Sequence, residues 1–396
     1  MENMRKERGY QISLSKEIRK IKGGYLVPSQ SCNKTYFVDE HDFNCTCPDC
    51  QTRNMTCKHA YAVRYYLKID KDTPQGTVTE KMPLTYKQAW SAYNQAQNVE
   101  VNKFDELLKE LVQNIEEPEY VFGRPAISLR EQVFCSIQKV YSQLSSRRAK
   151  SLFNNAHEKG YLKRNPNYNV VNKLMVKPEL TPILQELVGI SASPLKAVEN
   201  DFAIDSSGFR TTTFNDYCRE KHHTRKHHKW IKCHICTGVK TNIITGARIT
   251  EETGADTKQF SPLIKETTRN GFNIVEASAD KAYSSRDNIA LVDEMGATAY
   301  IPFKKNATGK AKGKNHAWKR MFHYFMMNQE EFAEHYHKRS NVETTFHMIK
   351  MKFGDCLKSK KPKAQENELL CKIIAHNIVV LIHEMYELGI KPDFCS

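Results

Sequence analysis

The chain has 396 residues, and its 60 Lys and Arg against 45 Asp and Glu leave a formal net charge of +15 at pH 7. This length exceeds the roughly 250 to 300 residues of a single core and predicts several domains. The charge favours a polyanionic partner such as nucleic acid over a small neutral substrate. With no apolar stretch typical of a secretory signal or a membrane span, we expect an intracellular protein whose cysteines are thiols or metal ligands.

The first chemical motif is a cysteine cluster in "FNCTCPDCQTRNMTCKHAYAV". Cys45, Cys47, Cys57 and His59 form a Cys-x-Cys and Cys-x-His arrangement, the ligand set of a closed tetrahedral zinc site. Cys50 is an alternative ligand, because Cys47 and Cys50 also form a Cys-x-x-Cys pair, and unligated cysteines are the plainer interpretation. The spacing predicts one structural Zn²⁺ that stabilises a module with a thin core of its own.

This cluster resembles the SWIM zinc finger, in which Cys-x-Cys and Cys-x-His are separated by a variable gap and followed by an apolar helix. The segment "AYAVRYYL" after His59 matches that helix. The resemblance implies a module that binds DNA or protein. The polar segment "KIDKDTPQGTVTEKMP" follows as a connector, so we place the zinc module at residues 1–75.

Residues 76–195 are predicted to be helical, since four segments show apolar residues at three- and four-residue spacing. Ser128 and Gly160 stand where a helix start and a helix end are expected. The stretch "SSRRAKSLFNNAHEKGYLKRNPNYNVVNKLM" indicates a helix-turn-helix unit in which Arg147, Arg148 and Lys150 face DNA. A helical connector without DNA contacts is the alternative.

Residues 196–396 are predicted to form an α/β domain. "FAIDSSGF" is typical of a strand ending in a turn, and "KWIKCHICTG" and "TNIITGARIT" of two antiparallel strands. Helix, strand, helix and strand then alternate, as in a sheet covered by helices, and a long, mostly buried helix closes the chain. Cys233 and Cys236 lie at an odd offset on one strand, which points their thiols to opposite faces. With the neighbouring histidines, a second zinc site is the alternative there.

Two aspartates stand at predicted strand ends, Asp205 in "FAID" and Asp280 in "NIVEASAD". Active sites of α/β sheets gather at the carboxyl ends of strands. Capping of the following turn or helix is the simpler explanation for each residue alone.

A third acidic residue lies in the predicted helix "YHKRSNVETTFHMIK", residues 336–350. At about 100° per residue, Tyr336, Arg339, Glu343 and Lys350 share one face. A surface salt-bridge network would explain such a face in an arbitrary helix.

The two aspartates and the glutamate together indicate metal chemistry. Converging carboxylates repel one another unless cations neutralise them. Two Mg²⁺ ions, or Mn²⁺, would do so and would stabilise both oxygens of an in-line phosphoryl displacement. Arg339 and Lys350 would offset carboxylate charge and hold DNA phosphates, while Tyr336 would hydrogen-bond a phosphate or stack near the cleaved end.

The segments "AIDSSGF", "SADKAYSSRDN" and "YHKRSNVETTFHMIKMKFG" resemble the DDE transposases of bacterial and archaeal insertion sequences. The Tyr-x2-Arg-x3-Glu-x6-Lys signature of that family is matched by Tyr336, Arg339, Glu343 and Lys350. The resemblance covers residues 120–390 and implies a ribonuclease H-like core. Since 63 positions separate Asp280 from Glu343, we expect that core without a large insertion.

The resemblance also implies an activity and its partners. Asp205, Asp280 and Glu343 would bind two Mg²⁺ ions, and the enzyme would hydrolyse transposon ends and join the freed 3′-hydroxyl to target DNA. Its partners would be double-stranded terminal inverted repeats, target DNA and a second copy of the chain on DNA. It would act in the cytoplasm of a prokaryote, at the nucleoid.

The basic runs 219–232 and 304–320 flank the predicted carboxylates and are expected to hold phosphates, with solvated charged loops as the alternative. Three other functions stay open. They are a related metal-dependent nuclease, a domesticated DNA-binding protein without catalysis, and a protein-interaction scaffold built on the zinc module.

Overall fold

The computed structural model divides the chain into two compact units, Met1–Thr85 and Tyr86–Ser396. The structure describes residues 2–14, 18–21, 23–29, 34–40, 42–53, 56–67, 89–119, 122, 126–212, 230–310 and 316–394. The predicted connector with its boundary near residue 75 lies outside the described residues. So do positions 219–229 of the first basic run and 311–315 of the second.

The first unit combines a three-stranded antiparallel sheet with three helices. The strands are β1 (Arg19–Ile21), β2 (Gly24–Pro28) and β3 (Thr35–Asp39), in the order β1-β2-β3. The helices are α1 (Glu2–Leu14), α2 (Pro48–Arg53) and α3 (Lys58–Tyr66). The apolar helix predicted after the cysteine cluster is confirmed as α3, which buries Ala62 and Val63 against Val27 and Val38.

The second unit begins with five helices. They are α4 (Trp90–Leu111), α5 (Leu129–Tyr141), α6 (Ser146–Glu158), α7 (Tyr168–Met175) and α8 (Leu180–Ala192). The predicted helix end is confirmed, because Gly160 follows α6 with a φ of 75°, a left-handed conformation that glycine adopts without strain. At the start of α5 the carboxylate of Glu117, rather than Ser128, accepts the backbone N–H groups of Leu129 and Arg130.

A five-stranded mixed sheet follows, with the strand order β6-β5-β4-β7-β8. The strands are β4 (Asp201–Arg210), β5 (Trp230–Gly238), β6 (Ile244–Glu251), β7 (Glu276–Ala279) and β8 (Thr298–Tyr300). Strands β4, β5 and β6 pair antiparallel, whereas β7 and β8 add to β4 in parallel. The predicted antiparallel strands and the helix-covered mixed sheet are both confirmed.

The other helices among the described residues lie between and after these strands. They are α9 (Asp256–Arg269), α10 (Arg286–Glu294), α11 (Ala317–Met327), α12 (Gln329–His337), α13 (Ser340–Phe353) and α14 (Pro362–Glu387). The predicted closing helix is α14, which is long and apolar enough to cross a membrane. Its most apolar window is 83% buried inside the protein, as expected of a core helix.

The structure corrects one sequence expectation for β4. The strand does not end at a turn after Asp205 but continues to Arg210, because β5 pairs along its whole length, from Phe202↔Gly238 to Arg210↔Trp230. Only the pairing with β7 ends, at Ile204↔Ala279. Asp205 is therefore the first residue of β4 that is not paired with a residue of β7.

A buried histidine on α14 predicts a pH dependence of stability. The Nε2 atom of His376 donates a hydrogen bond to the Asn242 carbonyl at 2.9 Å, and burial lowers the pKa of His376 to about 4. The unfolded chain takes up this proton near pH 6.5, so stability is lost as the pH falls from about 6.5 towards 4. Between pH 7 and pH 5 the free energy of unfolding should fall less in His376→Gln than in wild type, by about 2 kcal/mol.

Urea denaturation of both proteins at the two pH values measures this difference. Equal losses in the two proteins would contradict the assignment to His376.

Candidate active site

Asp205 and Asp280 lie side by side where the parallel pairing of β4 and β7 ends, at the carboxyl end of β7. The parallel register pairs Ile204 of β4 with Ala279 of β7, and the residue that follows each of them is an aspartate. Neighbouring strands are about 4.8 Å apart, which brings these two carboxylates close together. Each aspartate also accepts the backbone N–H of its following residue, Ser206 at 2.8 Å and Lys281 at 2.6 Å.

The predicted single helix over residues 336–350 is wrong. Helix α12 ends at His337 and α13 begins at Ser340, and tightened hydrogen bonds from Arg339 N to Tyr336 O and from Val342 N to Arg339 O connect them. Tyr336 therefore belongs to the last turn of α12. The break has a tertiary cause, since Lys338 Nζ bonds Asp201 and Glu276, each at 2.7 Å.

Arg339 connects two of the predicted acidic residues. Its guanidinium lies 2.5 Å from Asp205 Oδ2 through Nη1 and 2.5 Å from Glu343 Oε1 through Nη2. The side chains of Asp205 and Arg339 are 21% and 19% exposed, whereas that of Glu343 is 62% exposed. One planar cation thus holds carboxylates from the sheet and from α13 at the same place.

The environment of Asp205 includes the charges of the other two carboxylates. Burial raises the pKa of Asp205, and the negative charges of Asp280 and Glu343 raise it further. The Ser206 N–H and the Arg339 guanidinium oppose this shift. Glu343 remains solvent-facing, where it is free to meet a ligand.

The three carboxylates are near one another but are not gathered around one point. In the described part of the chain, the only group of three or more acidic, His or Cys ligands whose atoms all lie within 4.8 Å is the cysteine cluster of the first unit. The Arg339 guanidinium neutralises Asp205 and Glu343, a task that a metal ion bound between them would otherwise perform. The donors themselves, carboxylate oxygens at an open sheet edge, suit a hard divalent ion such as Mg²⁺.

The other two signature residues adjoin the same site. The Nζ atom of Lys350 donates to Ser207 Oγ at 2.7 Å and lies 5.2 Å from the centroid of the Phe209 ring. The Arg339 guanidinium lies 5.9 Å from the centroid of the Tyr336 ring. Tyr336, Arg339, Glu343 and Lys350 therefore border the Asp205 end of the site, although they do not share one helix.

A second polar group lies beside Asp205, and its acidic member, Asp256, was not predicted from the sequence. Asp256, in the first turn of α9, accepts a hydrogen bond from Ser206 Oγ at 3.3 Å and pairs with Lys232 Nζ at 2.5 Å. Buried His234 contacts the same carboxylate at 3.5 Å. Lys232 and His234 alternate along one strand, but nothing near Asp256 in the sequence shows that α9 meets them. This group fixes the backbone next to Asp205.

The four predicted zinc ligands meet in the first unit. Cys45, Cys47, Cys57 and His59 are buried, and their ligand atoms all lie within 4.8 Å of one another. Cys50 is not part of this group. The His59 Nε2 atom is buried without a hydrogen-bond partner, an arrangement that a metal ligand explains. Three soft sulfurs and an imidazole fit a tetrahedral Zn²⁺.

The thiols are electrostatically dependent on one another. A hydrogen bond with Cys45 lowers the pKa of Cys57 to about 3, and the same bond is the main reason that the pKa of Cys45 is raised. Without a cation, only one thiolate of this pair is favoured. Cys233 and Cys236 are also buried, and within the described residues they form no comparable cluster.

The basic residues of α6 differ in their environment. Arg147 and Arg148 are exposed on the first turn of the helix. Lys150 is engaged within the protein, because its ammonium bonds Asn165 Oδ1 and lies 3.1 Å from the Pro166 carbonyl oxygen. Its predicted DNA contact would have to replace these bonds.

Comparisons with known proteins give one family match and one similar structure. Residues 196–378, which include Asp205, Asp280, Glu343 and their basic neighbours, match the family described as "Transposase DDE domain". A piggyBac transposase, solved by cryo-EM as a synaptic complex with hairpin DNA, aligns over 79% of each chain at 10% identity and a TM-score of 0.35. A TM-score of this size supports no conclusion about the fold. On the strength of the family match, residues 196–378 are similar to the transposase DDE domain.

Proposed function

We propose that the chain is a DNA transposase that cleaves transposon ends and joins the freed 3′-hydroxyl to target DNA. The proposal is supported by the adjacent strand positions of Asp205 and Asp280 and by the Arg339 bridge from Asp205 to Glu343, inside a region that matches the transposase DDE domain. The strand order β6-β5-β4-β7-β8, with three antiparallel strands followed by two parallel ones, supports a ribonuclease H-like core.

Asp205, Asp280 and Glu343 would hold two Mg²⁺ or Mn²⁺ ions. Bound ions of this kind supply Lewis-acid stabilisation of the attacking and leaving oxygens in phosphoryl transfer. Asp205 and Asp280 are well suited as ligands, because backbone N–H groups already orient both carboxylates. Glu343 is carried by helix α13, so the ligand set would combine two carboxylates from the sheet with one from a helix.

The neighbouring cations would act on the DNA. Arg339 would hold Asp205 and Glu343 in place before the ions enter, and would then be free to bind a phosphate with its planar fork. Lys350, positioned by Ser207 Oγ at 2.7 Å, would supply a point charge for another phosphate. Tyr336 would bond a phosphate or stack near the cleaved end.

The remaining parts of the proposal concern the partners. Double-stranded terminal inverted repeats and target DNA fit the net charge of +15. Arg147, Arg148 and Lys150 on α6 would contact that DNA. The first unit would carry one structural Zn²⁺ in a SWIM-like module, and two copies of the chain would hold the two ends. The setting would be the cytoplasm of a prokaryote, at the nucleoid.

A strand-transfer assay tests the proposed activity. DNA carrying the repeats that flank the gene is incubated with the protein, a target plasmid and Mg²⁺. We expect end cleavage and covalent joining of the 3′ end to the plasmid. Cleavage without joining would indicate a related nuclease, and binding without either reaction would indicate a domesticated DNA-binding protein. Both results would contradict the proposal.

The ion pairs of Arg339 predict that a bound divalent metal ion affects the Tm of the protein when Arg339 is replaced. Arg339→Gln is expected to lower the Tm by several degrees in EDTA, since removing one partner of a largely buried ion pair costs a few kcal/mol. Mn²⁺ should restore part of this loss, because it replaces the missing positive charge between Asp205 and Glu343. Arg148→Gln, on the exposed side of α6, is the control and should show neither effect. A Tm of Arg339→Gln that does not respond to Mn²⁺ would refute the link.

A further inference from the structure

A basic cleft lies in the second unit, away from the predicted carboxylates. It has a volume of about 500 Å³ and is formed by the end of α5, the start of α6, α7 and the segment before and into α14. Its lining contains one acidic side chain, Glu368, and five lysines, which are Lys139, Lys358, Lys360, Lys361 and Lys372. The cleft therefore has a strong excess of positive charge.

The one acidic side chain has a structural task. Glu368 accepts the backbone N–H of Lys358 at 2.9 Å and that of Ser359 at 2.7 Å. These bonds hold the 358–361 segment in an open curve against α14. The carboxylate is buried and occupied by the backbone, so it shapes the lysine-bearing segment.

The five lysines differ in exposure: Lys372 is buried, Lys139 is half-buried, and Lys358, Lys360 and Lys361 are exposed. Lys372 is buried and donates to the carbonyls of Gly354 at 2.8 Å and Cys356 at 3.0 Å. Burial lowers the pKa of Lys139 and that of Lys372, so an anion nearby would stabilise both ammonium groups. Lys360 and Lys361 are exposed, and across the described residues neither takes part in an ion pair. They are available to a ligand.

A helix N-terminus adds to the same positive field. Ser145 and Ser146 line the cleft at the start of the 13-residue helix α6. Ser145 makes no side-chain hydrogen bond to the first turn of that helix. Unsatisfied N–H groups and the positive end of the helix dipole favour an anion at this position.

The cleft is connected to the carboxylate site. Lys350 of the signature and Lys372 of the cleft contact the same Phe209 ring, at 5.2 Å and 5.9 Å from its centroid. Along α13, Glu343 and Phe353 are separated by roughly 15 Å at 1.5 Å per residue. Duplex DNA carries one charge per about 1.7 Å of its axis, so a duplex cleaved at the carboxylates has further phosphates at this distance.

We propose that this cleft binds backbone phosphates of duplex DNA beside the phosphodiester that is cleaved. The inference rests on the proposed transposase function, because that function places a duplex at Asp205, Asp280 and Glu343. The contact is to phosphates and carries no sequence information, so it positions DNA of any sequence.

The test measures DNA binding without cleavage. The double variant Lys360→Gln/Lys361→Gln is compared with wild type on a short duplex of arbitrary sequence, in EDTA, over a series of salt concentrations. Each lost phosphate contact should lower the slope of log K against log salt by about 0.9, so the double variant should lose about 1.8 and bind several-fold more weakly. Lys360→Glu/Lys361→Glu, a second variant, should bind more weakly still.

The control is Lys265→Gln/Lys391→Gln, which removes two exposed lysines outside the cleft. It should keep the wild-type slope, and an equal loss in the control would overturn the proposal, as would an unchanged slope in the cleft variant. Inorganic phosphate is tested separately by its effect on the Tm. A phosphate effect lost in the cleft variant, with DNA binding unchanged, would show a free-anion site and overturn the DNA assignment.

This experiment is independent of the proposed activity. It uses duplex binding in EDTA, whereas strand transfer requires terminal repeats and Mg²⁺. A protein that fails to join DNA and still shows the slope change would contradict the transposase reaction alone.

Discussion

Asp205→Asn, Asp280→Asn and Glu343→Gln are each expected to lower Mg²⁺-dependent DNA nicking at least about a thousandfold, the equivalent of roughly 4 kcal/mol in the barrier. Each substitution removes one negative oxygen from the ligand set and so weakens the stabilisation of charge in phosphoryl transfer. The amide replacements keep the size of the side chains. Asp205→Asn also removes the ion pair with Arg339, so the Tm of this variant is measured to show that the loss of nicking exceeds any loss of folded protein.

Nicking rates at saturating DNA, with binding measured in parallel, check this expectation. Duplex binding should survive in all three variants, because the basic residues that contact phosphates are unchanged. Glu294→Gln, an exposed carboxylate at the end of α10, is the matched control and should nick at the wild-type rate. A variant of Asp205, Asp280 or Glu343 that nicks as fast as wild type would remove that residue from the catalytic set.

Cys57→Ala is expected to abolish zinc binding and to unfold the first unit, while the second unit stays folded. Zinc contributes apparent binding free energies of about 10 to 16 kcal/mol in small zinc domains, more than a unit of this size gains from its own core. Cys57 has a second role, since its sulfur accepts the Ala60 N–H at the start of α3. Its loss therefore removes a metal ligand and a helix cap together.

Zinc content per chain and limited proteolysis of the full chain measure this effect. Wild type should carry one zinc ion and resist cleavage within 35–66, whereas Cys57→Ala should carry none and be cleaved there. Cys50→Ser is the control, because Cys50 lies outside the group of four ligands, and it should retain the ion. Full zinc loss in Cys50→Ser, or none in Cys57→Ala, would contradict the ligand assignment.

The elements with strong local patterns were predictable from the sequence. Apolar spacing indicated α5, α6, α8 and the second half of α4, and alternation indicated β5 and β6. The cluster of Cys45, Cys47, Cys57 and His59 was equally visible, since these residues occur in a short motif. In these cases the deciding interactions lie within a few residues of one another along the chain.

The features that sequence analysis missed depend on distant contacts. Ser206, Ser207 and Gly208 are typical turn residues, yet β5 pairs opposite all three and keeps β4 extended. The break before Ser340 contains neither Gly nor Pro. It is instead stabilised by the ion pairs of Lys338 and Arg339 with the sheet. The two ion pairs join residues 137 and 134 positions apart.

The basic cleft was hidden for the same reason. Its lysines come from α5 and from the 358–372 region, and nothing in the sequence shows that these two stretches, about two hundred positions apart, meet. The sequence analysis singled out two other basic runs, 219–232 and 304–320. Their contacts with DNA stay a prediction. Arg339 is an intermediate case, because the signature identified the residue but not its bridging position between Asp205 and Glu343.

The most direct test of the central claim is the anomalous scattering of Mn²⁺ in crystals of the protein bound to uncleaved terminal-repeat DNA. We expect Mn²⁺ density in contact with Asp205, Asp280 and Glu343, with a DNA phosphate as a further neighbour and Arg339 released from at least one carboxylate. Mn²⁺ bound elsewhere on a DNA complex that is competent for cleavage, with these three carboxylates free of metal, would contradict it.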